Sequence, residues 1–130
     1  MSFHTIAVAN TITATTTAET AVVTTPASDL PLQTDKGVKI SGVLIFTTGA
    51  AATAVTIRVR QGVGTAGTVI GPATAIPATA SATQPPFAFC VYDPNPGTNQ
   101  QYTVTAQQTA ATGNGTAVNA CAEATGMWQQ

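Results

Sequence analysis

The sequence predicts an all-β fold: an antiparallel β-sandwich of about eight strands, with a jelly roll as its favoured form. Three observations point there. Threonine makes up 26 of the 130 residues, and its β-branched side chain suits a pleated, half-buried surface. Apolar residues recur at the two-residue period of a strand, in short runs broken by glycine and proline. No stretch carries the 3.6-residue period of an amphipathic helix. With 44% apolar residues, 130 residues are enough to bury one core, so residues 1–130 are read as a single domain. Residues 1–10 are a candidate mobile arm and 126–130 a C-terminal tail.

Each element follows in order. Residues 3–25 alternate threonine and alanine with Ile6, Val8, Ile12, Val22 and Val23, which predicts two or three short strands. Pro26 and Pro31 flank Ser28 and Asp29 and predict a turn or extended loop. From Val38 the even positions Val38, Ile40, Leu44 and Phe46 share one strand face. Val43 and Ile45 lie on the other, so this strand's end is expected to be covered on both sides. Gly42 within it suggests a bulge or bend. Next, Val55, Ile57 and Val59 alternate with Thr56, Arg58 and Arg60, the pattern of one buried face. Pro72, Pro77, Pro85 and Pro86 exclude long central strands from residues 62–86. Phe87 to Tyr92 is a strand, stopped by the turn cluster from Asp93 to Gly97. Cys90 inside it is expected to be a small buried hydrophobe. Gln101 to Gln107 and Thr116 to Glu123 are expected to form a hairpin around Asn114-Gly115, a pair that tolerates positive φ.

Charge limits the function. Only 7% of residues are charged and the net charge is -1, so there is no long-range field to attract nucleic acid or an anionic membrane. No apolar run approaches the roughly 18 residues of a membrane span. The amino terminus lacks the basic region and apolar run of a secretory signal, so cytoplasmic synthesis is expected, with Cys90 and Cys121 as free thiols. So neutral a surface is tolerable when partners cover much of it. Strand edges here also lack the lysines that normally block pairing. Both points predict a homo-oligomer.

Motifs with chemical potential have plainer readings. Gly62-Val63-Gly64-Thr65-Ala66-Gly67 spells G-x-G-x-x-G, but that motif holds a dinucleotide only where it opens a helix. Thr68-Val69-Ile70-Gly71-Pro72 follows, without helical character, so a glycine-rich turn is expected and no nucleotide. His4 is the sole histidine and no spacing pairs it with Cys90 or Cys121. The carboxylates Glu19, Asp29, Asp35, Asp93 and Glu123 are scattered singly. Asp29, Asp35 and Asp93 stand in turn contexts, where aspartate bonds its own backbone. No catalytic, cofactor or metal residue is assigned. Arg58 and Arg60, on one strand face, are the candidate subunit or capsid contact, because a guanidinium fork suits a carboxylate on a neighbouring subunit. Two solvated arginines would be the plain alternative.

The segments TTGAAATAVTIRVRQGVGTAGTVIGP and QQYTVTAQQTAATGNGTAVNA resemble the short Thr/Ala/Gly-rich virion proteins of tailed bacteriophages, capsid decoration proteins among them. The resemblance lies in strand grammar, low charge and length over residues 37–125, and it carries over no functional residue. It implies a non-enzymatic jelly-roll subunit, a homotrimer, that binds the major capsid protein on the outer capsid surface. Such a subunit cements neighbouring capsomers by many weak contacts acting together. It would be made in the host cytoplasm and reside in the virion, with no cofactor. The alternative is a carbohydrate- or receptor-binding β-sandwich module of a phage tail or fibre. That class displays clustered aromatics, whereas Trp128 stands alone.

Overall fold

Strand β1 (His4–Ala14) opens the fold. It is followed by β2 (Thr20–Thr24), β3 (Val38–Thr47), β4 (Ala54–Gln61), β5 (Val69–Pro77), β6 (Phe87–Asp93), β7 (Tyr102–Gln108) and β8 (Thr116–Gly126). The computed structural model describes residues 4–14, 18–26, 37–47, 54–77, 85–97, 100–108 and 116–126. The strands form two antiparallel sheets, in the orders β1-β8-β3-β6 and β2-β7-β4-β5. First pairs with last, second with seventh, third with sixth and fourth with fifth. A long hairpin rolled up on itself gives this pattern, and it is the jelly roll that the sequence predicts.

The predicted hairpin of the last two strands is corrected. β7 lies between β2 and β4 in one sheet, and β8 lies between β1 and β3 in the other. Asn114 and Gly115 lie outside the described residues, as do residues 27–36 with Asp29, Pro31 and Asp35. A turn sequence specifies that the chain reverses; burial then decides which strand it joins. Residues 4–10, part of the candidate arm 1–10, are the first part of β1, and residues 4–9 pair with β8.

The core lies between the sheets. β3 contributes Val38, Ile40 and Leu44, β4 contributes Val55, Ile57 and Val59, and β7 contributes Tyr102, Val104 and Ala106. β8 supplies the small residues Ala120, Ala122 and Ala124 beside the large ones of β3, an alternation that lets facing layers interdigitate. Val22 and Val23 are both buried although neighbours in a strand point opposite ways. A register shift between Ala21 and Val23 explains it: a bulge turns both side chains inward. β5, with Pro72 and Pro77, stands at a sheet edge, where a missing N–H costs nothing.

Three expectations for the other sheet are overturned. Gly42 marks no bulge, because β3 pairs without a break to β6 from Val38 to Leu44 and to β8 from Val38 to Thr47. Its missing side chain instead makes room for the Phe89 ring, which would lie 2.7 Å from a Cβ at this position. Val43 and Ile45 are not covered; they are 43% and 37% exposed. Cys90 is exposed as well, because on β6 the half-buried residues are Phe87, Phe89 and Val91. A two-layer sandwich covers one face of each sheet, and these side chains occupy the other.

Candidate functional site

The two outer faces differ in chemistry. On the β2-β7-β4-β5 sheet, β4 turns Val55, Ile57 and Val59 inward and sends Thr56, Arg58 and Arg60 outward, as the alternation predicts. The arginines meet a carboxylate, Glu19, within their own chain. Arg60 donates from Nε and Nη2 to the two oxygens of Glu19 at 2.6 and 2.8 Å, a bidentate fork. Its Nη1 donates to the Gly67 carbonyl at 2.6 Å. Arg58 donates to Gln107 Oε1 at 2.8 Å and lies 3.9 Å from Glu19. Thr105 Oγ1 also donates to Glu19. This cluster roofs Thr105, which is fully buried although it points away from the core.

The Arg60 hydrogen bonds hold Glu19 below the ordinary carboxyl range, reinforced by Thr105 and by the charges of both arginines. Glu19 in turn raises Arg60. A carboxyl with a lowered folded-state pKa adds stability above its unfolded pKa, and that stability is lost as pH falls through the folded value. Wild-type protein should therefore lose urea resistance between neutral pH and pH below the ordinary glutamate range. Glu19→Gln should be weaker at neutral pH and show a smaller acid loss. Equal acid losses for the two proteins would remove Glu19 from the account.

The glycine motif runs from β4 to β5 as bends, with no helix. Gly62 and Gly64 take positive φ, 85° and 86°. The loop packs on β7: Thr103 Oγ1 donates to the Gly62 carbonyl at 2.7 Å, and the Gly64 N–H donates back to Thr103 Oγ1 at 3.2 Å. The Gly62 N–H, which donates to the Gln101 carbonyl at 2.7 Å, and the Gly64 N–H are thus directed at the fold.

One end of the sandwich holds a buried polar network that single residues in the sequence do not reveal. Asp93 is 1% exposed. It accepts from Tyr102 Oη at 2.7 Å, from Gln61 Nε2 at 2.8 Å and from the Asn95 N–H at 2.9 Å. The last is the backbone bond expected of a turn aspartate. Burial, then the bond to Asp93, raises the Tyr102 hydroxyl far above its ordinary pKa. Thr25 Oγ1 accepts from the Tyr102 N–H at 3.0 Å. Each polar atom named here is bonded within the fold, so the network holds this end of the sandwich together.

The outer face of the β1-β8-β3-β6 sheet is different. Register places Lys39, Ser41, Val43 and Ile45 of β3 beside Tyr92, Cys90 and Ala88 of β6 on one side. Thr125, Glu123 and Cys121 of β8 lie on the other. Val43, Ile45 and Tyr92 are exposed, as are both cysteines. An open groove of about 340 Å³ runs between Val43, Ala88, Cys121 and Glu123, with Phe89 beneath. Among the described residues no three His, Cys, Asp or Glu side chains gather as metal ligands.

Cys90 stands opposite Ser41 and Cys121 opposite Val43, so β3 separates them. Two strand spacings put their Cα atoms about 10 Å or more apart, beyond the roughly 7 Å limit of a disulfide. Titration of the denatured, unreduced chain should find two thiols. Loss of both in a chain that remains monomeric would mean an internal bridge and a different sheet.

No protein-family model matches the chain, and no curated protein matches it in sequence. Solved structures do share its fold. A mutant VP2 protein of infectious bursal disease virus, from T=1 particles, matches with a TM-score of 0.59 at 11% identity, over 95% of this chain and 31% of that one. VP2 from a subviral particle of the same virus matches with a TM-score of 0.59 at 10% identity, over 95% and 33%. An arabinose-bound GH51 α-L-arabinofuranosidase matches with a TM-score of 0.51 at 13% identity, over 85% of this chain and 17% of that one. The chain therefore spans about a third of the length of the VP2 chains. At these identities the likeness is one of fold.

Proposed function

We propose that the chain is a non-enzymatic structural subunit of a virus particle, which decorates or cements the outer capsid surface as an oligomer. The observation that carries this reading is the set of exposed apolar side chains, Val43, Ile45 and Tyr92, on the outer face of the β1-β8-β3-β6 sheet, on a chain with very few charges. Apolar side chains exposed together on a sheet face mark a place where another chain sits, a second copy or a capsid protein. The jelly roll shared with VP2 supports the choice of a virion, and the tailed-phage texture of the sequence supports decoration. A sugar-binding module would gather stacking rings, whereas among the described residues Tyr92 is the exposed aromatic.

Attachment would be the sum of many weak contacts repeated by symmetry, not one strong site. Immunogold labelling of particles purified from the source culture tests the reading. Label distributed over the shell supports it. Label confined to tail tips or fibres would transfer the protein to receptor binding, and label on free protein only would defeat the virion reading.

A further inference from the structure

The outer face of the β1-β8-β3-β6 sheet carries a basic and an acidic residue on its two central strands. Lys39 on β3 stands opposite Thr125 of β8, and Glu123 on β8 stands opposite Ser41 of β3. They are diagonal neighbours, about 7–8 Å apart at Cα. Neither is ion-paired among the described residues, where both salt bridges belong to Glu19. Beside them lie Val43, Ile45 and Cys121, all exposed.

We propose that this face docks a second copy of the same chain, face to face, about a two-fold axis that runs along the strands between β3 and β8. Such an axis lays β3 of one copy over β8 of the other. Val43 then covers the second copy's Cys121, and Lys39 reaches towards the second copy's Glu123 while its own Glu123 receives the other lysine. A two-fold contact must be self-complementary, with each residue meeting its counterpart twice. One positive and one negative charge on paired strands satisfy that condition, whereas two like charges would oppose it. The area is sufficient: four strands about 4.8 Å apart present roughly 500 Å² per copy, about 1,000 Å² in total, where specific interfaces begin. The contact deepens the structural-subunit reading and rests on it for its place in a particle. It implies an even number of copies, whereas the number three comes from the phage resemblance.

The wild-type protein should have a mass in solution that is an even multiple of the 13.0 kDa chain. Lys39→Glu and Glu123→Lys should each weaken self-association about tenfold or more, because each sets like charges against one another. An equimolar mixture of the two variants should regain it, since the mixed pair restores both attractions. A second measurement needs no variant. Wild-type protein mixed from nitrogen-14 and nitrogen-15 preparations, joined by a zero-length carbodiimide reagent, should yield Lys39–Glu123 peptides that combine the two isotopes. A monomer, a trimer, failure of the mixture to recover, or linked peptides of one isotope only would each overturn the proposal. Shell labelling with a monomeric protein would overturn this contact while leaving the virion reading standing.

Discussion

Asp93→Ala is expected to destabilise the fold by about 3 kcal/mol, roughly 10 °C of melting temperature for a chain of this size. The cost arises in three places at once. The carboxyl accepts from Tyr102, Gln61 and the Asn95 backbone, and at 1% exposure it is shut off from bulk water. Removing it leaves the hydroxyl of Tyr102, itself fully buried, without its acceptor, and a buried donor left unpaired costs about 1–3 kcal/mol alone. Tyr102→Phe removes the donor and keeps the ring in the core, so its cost should be smaller, about 1–2 kcal/mol. The double variant should then be less destabilised than the sum, because the orphaned hydroxyl is gone. Additive losses in urea melts would mean that the two groups are not coupled.

That network also shows what a sequence withholds. Asp93 is legible as a turn residue, since the Asp-Pro-Asn-Pro-Gly cluster announces one. Its burial is not, because that depends on Tyr102 and Gln61 arriving from two other strands. Glu19 is hidden for the same reason: Arg60 lies 41 residues away and Thr105 lies 86 away. A carboxylate that is single in sequence need not be single in space. The alternation of Val55, Ile57 and Val59 with Thr56, Arg58 and Arg60 was readable because a strand's period is local.

The misread features share a cause. Asn114-Gly115 states a local preference, but the pairing of β7 with β2 and β4 is a property of the whole roll. Val43 and Ile45 lie opposite the core-facing residues of β3, and an apolar second face reads equally as covered by the chain or covered by a partner. The layer count decides: two sheets leave that face outward, and the same residues then become the best evidence for a contact. Thus the jelly roll was legible from strand count and turn spacing, while the apolar face became a candidate site only once the sheets were stacked.

Gly42→Val is expected to cost about 3 kcal/mol or more, at the upper end of overpacking losses. Gly42 lies in β3, the strand that joins β6 to β8, so a displacement there disturbs two ladders. A Cβ at this position would collide with the Cys121 backbone carbonyl and would approach the Phe89 ring to 2.7 Å. The ring could rotate away; the carbonyl belongs to the β8 ladder and cannot. Phe89→Ala in the same chain should therefore rescue little, because it removes the softer of the two obstacles and adds a cavity of its own. Gly42→Ala meets the same carbonyl with less bulk and should fall between wild type and valine. Thermal melts of the three proteins read the order directly. A valine variant as stable as wild type would mean that β3 and β8 are spaced differently at this level, and the groove beside Val43 and Cys121 would have to be redrawn with them.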